Sequence, residues 1–150
     1  MAAREGRAKW TGDLNSGSGE LVVGEGAWTS SYSAHSRFRS VLPGFGNGVG
    51  TNPEELLAAA HAACFSMALS LGLSDAGHLP SSIQTTARVH LRVVGGAPTI
   101  QQIDLSTEAD VPGLDQEEFQ DHAERAKTSC IISRALGGVG QINLPATLAS

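Results

Sequence analysis

The two cysteines are the side chains with the widest chemistry in this 150-residue sequence. Cys64 lies in an almost uncharged apolar run, AAAHAACFSMALSL at residues 58–71, and Cys130 lies in the segment KTSCIISRAL. A thiolate can attack a substrate, become a sulfenic acid or join a disulfide, whereas a buried thiol can also serve only as a small hydrophobic group. The residues therefore allow two interpretations, unrelated core cysteines or a catalytic pair.

A histidine precedes the first cysteine by one helical turn. His61 and Cys64 are three residues apart, so on a helix they share a face. With Cys130 they would make three metal ligands, but the paired spacing of zinc sites is missing. A Cys-His protease or transferase would need a third, orienting group, and no local signature supplies one. The pattern favours a packed, hydrogen-bonded histidine that can tune the thiol.

The two cysteines receive different help in forming a thiolate. Cys130 falls near the start of a predicted short helix capped by Ser129 or Thr128, where the helix dipole and the free backbone amides favour the thiolate. Cys64 lies in mid-helix, so an external cation would have to lower its pKa. Arg37 and Arg39 precede a glycine-rich segment and, on an extended strand, would point to opposite faces. The residues alone favour a plain surface charge for each arginine.

Composition excludes several classes of partner. The net charge is −5 and the sequence pI about 5.4, which argues against binding to nucleic acid or to anionic membrane surfaces. The N-terminal residues MAAREGRAKW contain no apolar signal region, so we expect a cytoplasmic location. Residues 56–73 reach the length of a membrane span, but they are rich in alanine and lack flanking cations, which predicts a central buried helix instead.

The remaining pattern predicts an α+β fold with antiparallel sheets in one domain, residues 1–150. Short strands are expected over residues 7–39, and a glycine-rich loop, either mobile or a lid, over 40–50. Asn52 and Pro53 predict the start of the long helix, with Glu55 completing a capping box and an end near Gly72. Period-2 alternation predicts a hairpin over residues 82–111. A helix capped by Asp115, the short helix after Cys130 and a strand at 139–144 follow.

Two long motifs carry a resemblance to a known family. The segments GTNPEELLAAAHAACFSMALSL and AKTSCIISRAL, together with KWTGDL and ADVPGLD, resemble the OsmC branch of the OsmC/Ohr family. The resemblance covers nearly the whole chain. It implies a stress-response, thiol-dependent peroxidase with an OsmC-like α+β fold, a long central helix and an intertwined homodimer.

The resemblance also implies roles for four residues. Cys64 matches the peroxidatic cysteine, Cys130 the resolving cysteine, Arg37 in the stretch SRF the activating arginine, and Glu54 the glutamate after Asn-Pro. The implied substrate is an alkyl or acyl hydroperoxide, and the implied reductant is a dithiol such as a lipoyl group. No cofactor or metal is implied. The alternative is a non-catalytic apolar-ligand-binding or redox-sensing stress protein.

Two departures from the family pattern lie close to these motifs. Ile131 stands where the family often has a proline, and the loop at 40–50 is longer than expected. Apolar lining of the substrate pocket is expected from four residues in and near the first cysteine motif: Leu56, Leu57, Phe65 and Met67.

Helix geometry bears on which subunit supplies the activating arginine. Ten residues of straight helix separate Glu54 and Cys64, or about 15 Å. An arginine clamped by Glu54 can hardly touch Cys64 of the same chain. We therefore expect Arg37 and Glu54 of one subunit to face Cys64 of the other.

Overall fold

The computed structural model describes residues 1–149, and the chain divides into two compact units, Met1–Leu56 and Leu57–Ser150. The elements are β1 (Gly6–Thr11), β2 (Ser18–Val23), β3 (Trp28–Tyr32), α1 (Ala34–Phe38), α2 (Pro53–Asp75), β4 (Ser82–Val94), β5 (Ala97–Asp110), α3 (Gln116–Ser129), α4 (Ile131–Ala135), β6 (Gln141–Asn143) and β7 (Ala146–Leu148). The predicted α+β fold, with antiparallel sheets and a long helix, is confirmed. That the two units form one domain stays a prediction.

The first unit contains an antiparallel sheet of order β1-β2-β3 followed by the short helix α1. The expected extended strand through residues 37–39 is wrong, because α1 begins directly after β3. Ser33 starts this helix by accepting a hydrogen bond from the Ser36 N–H, while the Ser36 hydroxyl accepts one from the Ser33 N–H. This reciprocal capping box offsets the strand propensity of the preceding residues. It also places Arg37 on a helix instead of a strand.

The glycine-rich loop has defined contacts within the first unit. Gly50 has a φ of 97°, and a Cβ at this position would clash with the backbone carbonyl of Ser31. The Phe45 ring packs 5.3 Å from the His35 ring and 5.5 Å from the Phe38 ring. The loop is therefore packed against the segment that carries Arg37.

Helix α2 begins and ends with recognisable signals. The Asn52 side chain accepts a hydrogen bond from the Glu55 N–H at 2.9 Å, as predicted. The Glu55 carboxylate accepts instead from the Thr51 hydroxyl, so the expected capping box is only half formed. The helix extends three residues beyond the predicted end. Gly77, with a φ of 85°, closes it through the paired backbone hydrogen bonds of a Schellman motif.

One stripe of α2 enters the core of the second unit. His61, Phe65, Leu69 and Leu73 recur every four residues and are fully buried. The other faces remain apolar and open, with Met67 and Leu71 more than half exposed. By length and composition α2 could cross a membrane, since an 18-residue window has a mean hydropathy of 1.8, and 22% of that window is buried.

The second unit contains a sheet built on the long β4–β5 hairpin. Its register pairs Ile83 with Ala109 and Ala87 with Leu105, so the predicted inward-facing residues lie on one face. Strands β6 and β7 both add to β5 in parallel, and β7 was not predicted. Helix α3 begins at the predicted cap Asp115. Its buried face consists of the three residues expected from the sequence, Phe119, Ala123 and Ala126.

Candidate functional site

The second unit brings the two thiols together. Both are free cysteines, Cys64 packs against the core cluster that contains Cys130, and the Cys64 thiol acts to lower the pKa of Cys130. Cys64 is partly exposed, whereas Cys130 is 1% exposed. The thiols thus differ in access to a solute, while each can reach the other.

Cys130 lies at the junction of two helices. It is the C-cap of α3 and the N-cap of α4. The prediction that Ser129 or Thr128 caps α4 is therefore wrong. The negative end of the longer α3 dipole and the positive end of the five-residue α4 dipole act on Cys130 in opposite senses. The predicted stabilisation at a helix start is confirmed for its free backbone amides, because those of Ile132 and Ser133 act to lower the pKa of Cys130.

Local polar contacts decide the pKa of Cys130. Burial acts to raise this pKa, but contacts with the Ser133 backbone N–H, the Ser133 hydroxyl and the Cys64 thiol together lower it below its ordinary value. The Cys130 side chain makes no conventional capping hydrogen bond.

A buried histidine, His61, contacts the helix that follows Cys130. His61 is 0% exposed, and its Nε2 lies 2.7 Å from the Ser133 hydroxyl oxygen. Its Nδ1 is buried without a hydrogen-bond partner among residues 1–149, and burial lowers the pKa of the imidazole. The sequence predicted a packed, hydrogen-bonded histidine but did not identify Ser133. The spacing in the sequence links Ser133 to Cys130, which it follows by one helical turn, but gives no link to His61.

The first unit contains the predicted pair of Arg37 and Glu54. The Arg37 Nη2 donates to Glu54 Oε1 at 2.8 Å, and its Nε donates to the same oxygen at 3.1 Å. The Glu54 side chain is 9% exposed and that of Arg37 41%. The guanidinium also lies over the Phe38 ring, 5.1 Å from its centroid. Glu54 therefore fixes a guanidinium that still has an accessible side. Arg39, the other candidate, is the exposed C-cap of α1.

A cavity of about 320 Å³ opens beside this pair within the first unit. Its lining includes Trp10, Leu14, Tyr32, Phe38, Pro53 and Arg37. The apolar lining expected from the cysteine motif is partly wrong, because Phe65 is fully buried in the core of the second unit. An apolar cavity with one cation is suited to a largely apolar substrate that has one polar group.

Among residues 1–149, no group of three or more His, Cys, Asp or Glu side chains is placed to hold a metal ion. His61 instead directs one nitrogen at Ser133.

Comparison with known proteins places this arrangement in a family. The family model described as OsmC-like protein matches residues 45–144, which include both cysteines and Glu54. The chain belongs to the OsmC-like family. The resemblance identified in the sequence is thereby confirmed.

Other members of the OsmC-like family are similar over most of the chain. Peroxiredoxin OsmC of Escherichia coli K12 is 42% identical over 134 residues, which cover 89% of each protein. An organic hydroperoxide resistance protein of Xanthomonas axonopodis pv. citri is 33% identical over 108 residues, covering 71% of this chain and 72% of the relative.

The fold is shared with solved structures. A crystal structure of an organic hydroperoxide resistance protein from Elizabethkingia anophelis superposes with a TM-score of 0.68 at 27% identity, covering 99% of this chain and 98% of the other. The corresponding structure from Legionella pneumophila has a TM-score of 0.69 at 24% identity, with full coverage of both chains, and supports the fold alone.

Proposed function

We propose that this protein is a cysteine-based peroxidase that reduces organic hydroperoxides to alcohols. The observation that carries the proposal is the partly exposed Cys64, packed against the core cluster that contains the buried Cys130. Membership of the OsmC-like family and the names of the relatives, peroxiredoxin and organic hydroperoxide resistance protein, support the same chemistry.

The difference in exposure supports the order of the steps. The Cys64 thiolate attacks the distal oxygen of the hydroperoxide, the O–O bond breaks, and the alcohol leaves after its oxygen takes up a proton. Cys64 is then a sulfenic acid. The Cys130 thiolate attacks this sulfur, which forms the S–S bond and releases hydroxide as water. A buried Cys130 needs to reach only Cys64, whereas Cys64 has to meet the substrate.

Arg37 and Glu54 are assigned to activation. The guanidinium stabilises the Cys64 thiolate and the developing alkoxide, and Glu54 holds it in position. Two N–H groups of Arg37 contact Glu54, and an arginine has five, so others remain for the reacting atoms. The apolar cavity beside Arg37 then receives the organic part of the hydroperoxide.

The assembly we propose is a homodimer in which Arg37 and Glu54 of one subunit serve Cys64 of the other. Support comes from α2, an apolar helix that leaves Met67 and Leu71 exposed. Exposed apolar surface of this extent marks a contact with a further protein surface. A second copy of the chain is the partner that symmetry favours.

The cycle closes by reduction of the Cys64–Cys130 disulfide. We propose a dithiol such as a lipoyl group, free or protein-bound, as the reductant. Thiol–disulfide exchange at the more exposed sulfur, Cys64, releases Cys130 and leaves a mixed disulfide that the second thiol of the reductant resolves. The choice of reductant follows from the family resemblance, and we propose a cytoplasmic location, in which such dithiols stay reduced.

Titration of thiols after one equivalent of cumene hydroperoxide tests the function. The peroxidase loses both thiols to an internal disulfide, which a lipoyl donor restores. Cys64→Ser consumes no peroxide, whereas Cys130→Ser reacts once and stops as a sulfenic acid that mass spectrometry detects. Unchanged thiols in the wild-type protein would contradict the proposal and favour a ligand-binding module with inert cysteines.

A further inference from the structure

A line of buried polar groups runs behind the two thiols. His61 Nε2 lies 2.7 Å from the Ser133 hydroxyl, and Ser133 is the third residue of α4, the helix that Cys130 begins. Cys64 packs against the core cluster that contains Cys130, and both Ser133 and Cys64 act to lower the pKa of Cys130. His61, Ser133 and Cys130 are 0%, 8% and 1% exposed. The line begins on α2 at His61, crosses to α4, and returns to α2 at Cys64, one turn after His61.

Burying the polar His61 side chain in the core costs folding free energy that an apolar residue would not cost. His61 lies in a stripe whose other members are Phe65, Leu69 and Leu73, and an apolar side chain could fill its position without loss of hydration. The imidazole has one partner, and its Nδ1 has none among the described residues. A buried polar side chain that is only half satisfied calls for a role beyond packing.

We propose that His61 is a positioning residue that orients the Ser133 hydroxyl toward the Cys130 sulfur and thereby sets the rate of disulfide formation. The inference rests on the proposed function, in which Cys130 resolves the sulfenic acid on Cys64. His61 touches neither the peroxide nor the reacting sulfurs in this assignment. It acts through Ser133.

One arrangement of protons gives both His61 Nε2 and the Ser133 hydroxyl a hydrogen-bond acceptor. If the His61 Nε2–H donates to the Ser133 oxygen, the Ser133 O–H is free to donate to the Cys130 thiolate. Nδ1 is then an unprotonated acceptor, which is less costly to leave unpaired in the core than an N–H. Burial lowers the pKa of His61 and so keeps the imidazole neutral, as this arrangement requires.

The resolving step uses this arrangement directly. Cys130 releases its proton to solvent, and its thiolate attacks the Cys64 sulfenic acid. The S–S bond forms, the S–O bond breaks, and the departing hydroxide takes up one proton to become water. The protons balance, and no further oxidant is needed. A donor on the Cys130 sulfur raises the fraction of thiolate available for the attack.

The first test measures the thiolate population of Cys130 without any reaction with peroxide. In a Cys64→Ser background, the rate of Cys130 alkylation by iodoacetamide is measured against pH for His61→Leu, Ser133→Ala and Ser133→Thr. Removing a hydrogen bond to a charged group corresponds to a loss of roughly tenfold or more in thiolate population, so the alkylation profile of the first two variants shifts to higher pH. Ser133→Thr keeps the hydroxyl and the original profile.

The second readout uses the intact pair of thiols. After a single dose of cumene hydroperoxide, the lifetime of the sulfenic acid, followed by trapping with dimedone, lengthens about tenfold in His61→Leu and Ser133→Ala. The rate of sulfenic acid formation, measured in a Cys130→Ser background, changes by less than about threefold, since neither residue acts on the peroxide.

Three results would overturn the inference. One is an unshifted Cys130 profile in folded Ser133→Ala, another is equal slowing of both steps, and the third is loss of the profile in Ser133→Thr as well. If His61→Leu does not fold, the Ser133 pair of variants decides alone. Failure of the proposed function is distinguishable, because it appears as wild-type protein that forms no disulfide with peroxide, while alkylation of Cys130 needs no peroxide.

Discussion

Mixing two inactive variants tests whether Arg37 serves the thiol of its own chain or that of a partner. Arg37→Ala and Cys64→Ser proteins are combined in equal amounts and allowed to exchange subunits. A heterodimer with shared sites contains one intact site, made of Cys64 from the first protein and Arg37 from the second. If each chain uses its own Arg37, every site in the mixture is defective.

The expected signal is well separated from the background. Charge-assisted hydrogen bonds of the kind that Arg37 makes are worth about 1.5–3 kcal/mol, so Arg37→Ala alone retains roughly 1–10% of activity. Random exchange makes half of the dimers heterodimers with one good site in two, so the mixture regains about a quarter of wild-type turnover. Cys64→Ser contributes no background, because it lacks the nucleophile.

The assay is steady-state reduction of cumene hydroperoxide, with exchange verified by native mass spectrometry. Arg39→Ala is the matched control and stays active, since Arg39 is an exposed cap residue. Removing Arg37 leaves the 9% exposed Glu54 side chain without its partner, so the double variant Arg37→Ala/Glu54→Gln is mixed in parallel. Activity that stays at background after complete exchange in both mixtures would refute the shared site.

The remaining predictions concern the activating pair, the dimer and acid stability. Glu54→Gln lowers kcat/KM about tenfold whereas Glu55→Gln does not, and equal effects in steady-state assays would argue against a specific role. Met67→Glu places a charge on the open face of α2 and yields monomers by light scattering, and an intact dimer would contradict this interface. Hydrogen bonds from Gln102, Asn143 and His90 lower the pKa of Asp104 from 3.8 to about 2. The pKa of Asp104 is lower in the folded than in the unfolded protein, so the ionised carboxylate stabilises the fold above pH 4. This contribution to the free energy of unfolding is lost as the pH falls toward 2. Asp104→Asn should flatten the change in Tm over that range, and an unaltered slope would exclude the carboxylate as its source.

Local signals in the sequence predicted the long elements well. The start of α2 follows from Asn52 and Pro53, and the β4–β5 hairpin follows from strict alternation of apolar and polar residues. Both signals act between near neighbours, so no tertiary contact was needed to recognise them. Two short elements, α1 and β7, were not predicted, because they depend on other kinds of contact. Helix α1 is one turn that depends on two serines, and β7 is three residues whose pairing with β5 is distant in the chain.

In the candidate site, too, some contacts could be predicted from the sequence and others depend on residues far apart in the chain. Arg37 and Glu54 could be named in advance through the family resemblance, and the contact between them is present across 17 positions. Ser133 could not be assigned to His61, since 72 positions separate them and packing alone brings them together. The free amides expected to stabilise a Cys130 thiolate are those of Ile132 and Ser133, whereas the sequence did not show that Cys130 also ends α3.

The sign of the effect at Glu54 distinguishes two ways in which Arg37 can act. If Arg37 works through net charge, Glu54 partly cancels it, and Glu54→Gln should leave a stronger cation and a faster enzyme. If Arg37 works through directed N–H groups, the two contacts from Nε and Nη2 to Glu54 fix the plane of the guanidinium, and Glu54→Gln loosens it. Arg37 is 41% exposed, so solvent screens its charge, whereas hydrogen-bond direction is preserved. The geometry therefore favours orientation over charge, which is why we predict that neutralising Glu54 slows the reaction.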